Sequence, residues 1–74
     1  MRSEADIKSG KWKEIDGEVI TVIGVALHTT GDYKVVVFHP ESNATELRVI
    51  PISAFLEQVF RNGSQTNRFS RLEQ

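Results

Sequence analysis

The sequence predicts an all-β domain, a small barrel of five strands with one short helix towards its C-terminal part. Residues 22–40 are almost entirely strand-forming and are interrupted at Thr30-Gly31. After Pro51 the spacing of apolar residues changes from a strand period to a helical one. A chain of 74 residues forms one domain at most, so all these elements belong to a single small fold.

The first two strands are predicted over residues 11–15 and 18–28. Asp16-Gly17 between them is the signal of a two-residue type I′ turn, in which both central residues have positive φ. The second strand is apolar on both faces and carries Gly24 in its middle. An interior glycine often marks a bulge or bend. A bent strand with two apolar faces is typical of a small barrel, where one strand serves two packed sheets.

Turn residues and the change of period predict the later elements. Proline cannot donate to a strand ladder, so Pro40 and Pro51 end strands. Residues 1–9 are polar and are predicted to be flexible, which leaves residues 10–72 as the single β-barrel domain. The predicted order is a turn at Thr30-Gly31, a strand over 33–40, a strand over 45–50, a helix over 53–60 with Ser53 as N-cap, a stop and flexible loop at Asn62-Gly63, and a strand over 68–72.

The pattern of apolar residues also predicts the core. It places one face of the second strand inside, together with residues of the third strand, the fourth strand and the helix. The predicted core residues are Val19, Ile23, Val25, Val36, Phe38, Val49, Phe55, Leu56, Val59 and Phe69.

Composition excludes several classes of protein. The chain has no cysteine, which excludes disulfides and makes a structural zinc site improbable with two histidines. Its net charge of −1 lacks the basic excess of most nucleic-acid-binding proteins. The apolar run over residues 22–27 is too short to span a bilayer, and the N-terminus has no apolar leader. We therefore expect a soluble cytoplasmic protein.

Several short motifs, taken in order, resemble a known family. They are GKWKEIDG (10–17), VIGVALHT (22–29), VVF (36–38), VIPISAF (49–55) and RF (68–69). In their order and spacing, over residues 10–70, the chain resembles the bacterial family called domain of unknown function 1653. The resemblance implies a small SH3-like barrel, in agreement with the strand count, and it implies no known activity.

The chain departs from this family pattern at several polar positions. Where the pattern carries His, an aromatic residue and Lys before the first turn glycine, the chain has Glu14, Ile15 and Asp16. Where the pattern carries Arg before proline, the chain has Ile50. His28 is the member of the polar signature that survives. The resemblance thus implies a divergent member, in which any site built from those polar residues is lost or changed.

The two histidines are the first candidates for a site. With a two-residue turn at Thr30-Gly31, His28 pairs with Tyr33 and Val22 pairs with His39, so the histidines lie at opposite ends of the ladder. Their separation is then roughly 20 Å, at about 3.3 Å per residue. Zn–N bonds are about 2.0–2.1 Å long. The sequence therefore predicts no shared metal site, and no cofactor is expected.

The candidates for contact with a ligand or partner are His28, Tyr33, Trp12 and Arg48. His28 beside Tyr33 either hydrogen-bonds a loop carbonyl and locks the turn, with Tyr33 covering it, which we favour, or contacts a ligand. Trp12 is either a partly buried plug whose indole N–H has a partner, which we favour, or an exposed platform. Arg48 lies on the predicted fourth strand. No residue is predicted to be catalytic.

These observations favour a non-catalytic module that binds a protein partner or associates with itself. The alternative is a module that binds single-stranded nucleic acid, stacking bases on Trp12 and Tyr33 and tracking phosphates with arginines. A small hydrolytic enzyme is the least favoured class, because the sequence contains no recognisable nucleophile beside a base.

Overall fold

The computed structural model describes residues 3–72 and confirms the all-β class. Its elements are a 3-10 turn (Glu4–Asp6), β1 (Gly10–Glu14), β2 (Val19–His28), β3 (Tyr33–Pro40), β4 (Arg48–Pro51), α1 (Ile52–Phe55), β5 (Gln58–Arg61), β6 (Ser64–Asn67) and β7 (Phe69–Arg71). Within these residues, five strands form a curled antiparallel sheet, a half-barrel, in the order β4-β3-β2-β1-β7, and β5 and β6 form a separate hairpin. The short helix α1 joins β4 to β5.

The hydrogen bond between Glu14 and Glu18 closes a loop of three residues, 15–17, between β1 and β2, rather than the predicted two. Lys13 pairs with Val19, and the Glu14 N–H donates to the Glu18 carbonyl at 2.8 Å. Gly17 has a φ of 101°, whereas Asp16 stays outside the positive-φ region. Three-residue hairpin loops commonly place one residue in the left-handed region at their end. The turn therefore uses Gly17 alone, and the predicted type I′ geometry is wrong.

A β-bulge interrupts the pairing of β2 with β3. Val22 pairs with Phe38 and Gly24 with Val37, so Ile23 is the extra residue. The bulge predicted near Gly24 is confirmed. Because of the extra residue, the cross-strand partner of His39 is Thr21 and not the predicted Val22.

The core lies on the inner side of the curled sheet and differs in part from the predicted one. Ile23 and Val49 are 53% and 61% exposed, so their assignment to the core is wrong. Ile23 is displaced by the bulge. Val49 faces outwards because successive side chains of a strand point to opposite sides, and its neighbour Ile50 packs against the core. The most buried hydrophobic residues are Trp12, Ile20, Val22, Val35, Val36, Phe38, Phe55 and Phe69. The predicted core residues Val19, Val25, Leu56 and Val59 are half-buried.

The predicted helix over residues 53–60 is wrong in length. α1 spans Ile52–Phe55, and Pro51 rather than Ser53 occupies its N-cap. Asn62 and Gly63, with φ of 55° and 79°, form the turn of the β5–β6 hairpin, and Arg61 pairs with Ser64. Positive φ at both residues is what an Asn-Gly type I′ turn requires. Among residues 3–72, no helix has the length and apolarity to cross a bilayer.

The fourth strand begins later than predicted, at Arg48 rather than residue 45. The Asn43 side-chain oxygen accepts hydrogen bonds from the N–H and the hydroxyl of Thr45, at 3.2 and 2.7 Å. The Glu46 N–H donates to the Asn43 carbonyl at 3.2 Å. Asparagine side chains favour such local turns over strand pairing, so residues 43–46 form part of the connection between β3 and β4.

Aromatic side chains fill the space between the sheet and α1. The ring of Phe55 stacks on Phe69 with centroids 4.5 Å apart, and Trp12 meets Phe55 edge-on at 5.0 Å. Phe38 lies 6.2 Å from Phe69. These contacts join α1 to strands at both ends of the chain and give the small domain a continuous aromatic core.

Replacing Phe55 by leucine is expected to lower the free energy of unfolding by about 1–2 kcal/mol, because the smaller side chain leaves a void beside Phe69. The same substitution at Phe60, which is 74% exposed, is the matched control. It is expected to change stability by less than about 0.5 kcal/mol. Urea denaturation followed by circular dichroism measures both, and equal losses would contradict the assignment of Phe55 to the core.

Candidate functional site

The side of the β2–β3–β4 sheet that faces away from the core carries no charged residue, and we call it the uncharged face. Its members follow from strand alternation, because Val36, Phe38 and Ile50 face the core and their neighbours face outwards. Cross-strand pairing places its rows side by side. The uncharged face consists of Thr21, Gly24, Ala26 and His28 on β2, Tyr33, Val35, Val37 and His39 on β3, and Val49 and Pro51 on β4.

Small and flat side chains occupy the middle of the uncharged face. Val37 lies between Gly24 and Val49, and Val35 lies between Ala26 and Pro51. Val35 is 5% exposed although it points away from the core, whereas Val49 at the sheet edge is 61% exposed. The centre is therefore shallow and apolar, and one edge projects into solvent.

Charged residues begin where β1 borders this face. Lys11 lies opposite Thr21, and Lys13 lies opposite Val19 and Ser70. The Lys11 ammonium is 2.8 Å from a carboxylate oxygen of Glu41. In a chain that is 26% charged, this boundary separates the lysines of β1 from the uncharged outer side of three neighbouring strands.

His28 and Tyr33 lie at one end of the uncharged face and contact each other, as predicted. Their rings are stacked, with centroids 4.8 Å apart and an angle of 13° between the planes. The Gly31 N–H donates to His28 Nδ1 at 2.9 Å, and Thr30 Oγ1 lies 3.4 Å from the same nitrogen. The imidazole thus holds the β2–β3 loop, and its partner is a loop N–H rather than the expected carbonyl.

The β2–β3 loop has a different geometry from the predicted two-residue turn. His28 pairs with Tyr33 as predicted, but the Asp32 N–H donates to the His28 carbonyl at 3.1 Å, and Asp32 rather than Gly31 has a positive φ, of 56°. Gly31 is required for another reason. A Cβ at Gly31 would lie 2.1 Å from Tyr33 Cε1, so the tyrosine ring occupies the space that a side chain would need.

His39 lies at the other end of the uncharged face, opposite Thr21. The structure therefore does not bring the two histidines together. His39 Nδ1 donates to the Pro40 carbonyl at 2.7 Å. In the part of the chain that the structure describes, no cluster of three or more His, Cys, Asp or Glu residues could hold a metal ion.

Trp12 lies in the core and not on the surface. It is 3% exposed, and its Nε1–H donates to the Lys8 carbonyl at 2.8 Å. This placement supports the interpretation of Trp12 as a buried plug and gives no support to a stacking platform.

Arg48 lies at the edge strand β4 among carboxylates. It hydrogen-bonds Glu46 and lies 3.7 Å from Glu18. The hydrogen bond that Arg48 donates to the Glu46 carboxylate, and then the negative charges of Glu46, Glu18 and Glu14, raise the pKa of the Arg48 guanidinium above its ordinary value. Its charge is thereby engaged within the chain, on a side chain that remains 41% exposed.

Sequence reasoning missed most of the uncharged face. It singled out His28 and Tyr33 but placed Val49 in the core and gave Val37 no role. The register of β3 with its neighbours is the signal that could have found the face, because it groups Gly24, Val37 and Val49 in one row.

Comparison with known proteins agrees with this architecture. The fold places the chain among small all-β domains built on a half-barrel sheet. The model of the family described as protein of unknown function (DUF1653) matches residues 11–71, and the chain belongs to that family. The resemblance inferred from the motifs is confirmed.

A crystal structure of a protein of the same family, from Bordetella bronchiseptica, is similar to this chain. The TM-score is 0.82 and the sequence identity is 19%, and the match covers 95% of this chain and 92% of the other. At this identity the likeness shows the fold. No curated protein matches the chain significantly.

Gly31→Ala is expected to destabilise the domain by about 1–3 kcal/mol, because the new methyl group displaces the Tyr33 ring from its stack on His28. Gly24→Ala is the matched control, since nothing lies within 4 Å of its Cβ position and its φ is not positive. The control is expected to be neutral or to stabilise by up to about 1 kcal/mol. Thermal unfolding measures both, and an undiminished Gly31→Ala stability would contradict the packing of the ring.

The neutral forms of the two histidines are expected to be different tautomers. His28 Nδ1 accepts from an N–H, so its proton lies on Nε2, whereas His39 Nδ1 donates to a carbonyl and carries the proton itself. Long-range proton–nitrogen NMR correlations distinguish the two forms. Identical tautomers would show that at least one of these hydrogen bonds is absent in solution.

Proposed function

We propose that this protein is a non-catalytic binding module that associates with a protein partner, or with a second copy of itself, through the uncharged face. The observation that carries the proposal is the absence of charge from the outer side of three neighbouring strands, β2, β3 and β4. The proposed setting is the cytoplasm.

The chemistry of the uncharged face fits a protein contact. The cores of protein interfaces are depleted in charged residues, enriched in aromatic ones and surrounded by a polar rim. Here Val37 and Val49 supply apolar area, Tyr33 supplies an aromatic ring, and Lys11 and Lys13 supply a charged border. Contiguous exposed apolar area on a small domain commonly marks an interaction surface.

The hydrogen bond and the ring stacking of His28 support a binding role for this residue over a catalytic one. A general base needs a nitrogen that can reach the reacting proton and a partner that positions it. His28 Nδ1 accepts from the Gly31 N–H, so the neutral ring carries its proton on Nε2 and has no free lone pair to take a second one, and one ring face stacks on Tyr33. These contacts account for the histidine as a residue that rigidifies one end of the contact surface.

Binding of single-stranded nucleic acid has less support. Such proteins stack bases on exposed aromatic rings beside cations that follow the phosphates. Trp12 is buried, the uncharged face holds no cation, and Arg48 is paired with Glu46.

The proposal predicts that a charge on the uncharged face abolishes association. Val49→Lys places an ammonium on a side chain that is 61% exposed, so the fold should tolerate it while the apolar contact should not. Phe60→Lys, at 74% exposure on β5, is the control away from this face. We expect light scattering at micromolar concentration to show a dimer, or a nuclease-treated pull-down to retain a protein partner, for the wild type and Phe60→Lys but not for Val49→Lys.

Two results would contradict the proposal. One is a monomeric wild-type chain that captures no protein, and the other is association that Val49→Lys leaves unchanged. Capture that disappears on nuclease treatment, and weakens between 50 and 200 mM salt, would instead indicate phosphate contacts.

A further inference from the structure

The segment before β1, residues 3–9, folds back onto the inner side of the sheet, and we call it the strap. The strap contacts the domain at three places. A Glu4 carboxylate oxygen lies 3.2 Å from the Lys34 ammonium, Ile7 packs against the hydrophobic core, and the Lys8 carbonyl accepts from the Trp12 indole at 2.8 Å. We call the surface that it covers, between Lys34 and Trp12, the strap groove.

The turn within the strap sets the spacing of these contacts. Glu4–Asp6 form a 3-10 turn, closed by hydrogen bonds between Ser3 and Asp6. The Ile7 N–H donates to the Glu4 carbonyl at 3.0 Å across the turn, and the contacts of Glu4 with Lys34 and of Ile7 with the core show that both side chains face the domain. The groove is therefore filled by a carboxylate and, three residues later, an aliphatic side chain.

Each of the three contacts satisfies a charged, polar or apolar group on the surface that the strap covers. Lys34 offers a cation beside the apolar surface, and the indole N–H of Trp12, a side chain that is 3% exposed, needs an acceptor because a buried unpaired donor is costly. Ile7 excludes water from the core beside Trp12. Any segment that replaces the strap has to supply the same three groups.

The strap is held loosely compared with the strands. Both members of its ion pair are about half exposed, at 53% and 47%, and such pairs contribute little. Ile7 is half-buried, and the other six strap residues are exposed, so the strap buries little apolar area. Gly10, the first residue of β1, follows the strap directly and has a φ of 124°, in a region that glycine adopts with little steric restriction. These features place the strap at the low-stability end of the fold.

We propose that the strap is an internal ligand, and that the strap groove is a docking site for a one-turn segment of a partner protein that displaces it. The partner segment carries a carboxylate three residues before an aliphatic side chain, followed by a free backbone carbonyl. The groove lies on the inner side of the sheet and the uncharged face on the outer side, so this proposal does not rest on the proposed function.

An internal ligand competes with the external one. While the strap occupies the groove, the apparent affinity for a partner is reduced to the fraction of molecules in which the groove is open. Loosening the strap should therefore strengthen binding of a segment added in trans, and this sign distinguishes an internal ligand from a segment that merely stabilises the fold.

The first measurement tests the hold of the strap in the full chain. Glu4→Lys places like charges at Lys34 on exposed positions and should leave the core intact. Hydrogen exchange of the Asp6 and Ile7 amides is expected to accelerate, and emission of Trp12, the single tryptophan, is expected to shift to the red. The double variant Glu4→Lys with Lys34→Glu should restore both signals, whereas Leu47→Ser, at a side chain that is 62% exposed, should change neither.

The second measurement tests the groove with a defined probe, an acetylated peptide of residues 3–10. We expect saturable binding to the Glu4→Lys chain, with Trp12 emission returning to the blue, and weaker binding to the wild type. A peptide carrying Ile7→Ser should not bind. A Lys34→Glu chain also has a loosened strap, because Glu4 then faces a like charge, so the Glu4→Lys chain is its reference. Relative to that reference, binding of the unchanged peptide should fall by up to about fivefold, the upper limit for one exposed ion pair, and a peptide carrying Glu4→Lys should recover it.

Three outcomes would overturn the proposal. Strap amides that exchange as slowly in Glu4→Lys as in the wild type would show that Lys34 does not hold the strap. A Glu4→Lys chain that is folded by circular dichroism but binds no peptide would show that the groove accepts no external segment. A wild-type dimer that the peptide dissociates would assign the groove to the strap of a second copy rather than to another protein.

Discussion

The stack of Phe55 on Phe69, with Trp12 against its edge, is the contact on which the rest of the fold depends. It joins α1 to β7 and to β1, which stand far apart in the sequence. β7 has three residues and pairs with β1 alone, so its few ladder hydrogen bonds contribute little to keeping it in the sheet. The burial of Phe69 fixes β7 beside β1, and the burial of Phe55 closes the open side of the half-barrel. A chain without disulfides has to obtain its stability from such packing.

The bulge at Ile23 is the second constraint, and it decides which side chains meet the solvent together. It inserts one residue into β2 while β3 continues regularly, so the inward positions change from Ile20 and Val22 before it to Val25 after it. Without the extra residue the two ends of β2 could not both bury their apolar side chains against one core. The small residues left outside, Gly24 and Ala26, make the uncharged face shallow.

The uncharged face and the strap groove differ in how firmly the residues that form or cover them are held. At the β2–β3 loop, His28 and Tyr33 have their rings and one ring nitrogen committed to the turn, which makes that end of the uncharged face rigid. On the inner side, the strap is held by an exposed ion pair, one half-buried isoleucine and the indole bond. Rigid apolar area suits a permanent contact, whereas a weakly held segment suits exchange. The same 74-residue chain thus offers one preformed surface and one surface that has to be opened.

Local signals in the sequence determined the all-β class, the two hairpins that join β1, β2 and β3, the bulge near Gly24 and the pairing of His28 with Tyr33. Asn62-Gly63 was equally informative, since it is a hairpin signal, and its interpretation as the end of a helix was the avoidable error. The sequence could not decide which side of β2 faces inwards, because both are apolar and alternation alone makes them equivalent. Packing of Trp12 and Phe55 chose the side that carries Ile20 and Val22, and that choice left Val37 and Val49 together on the outer surface.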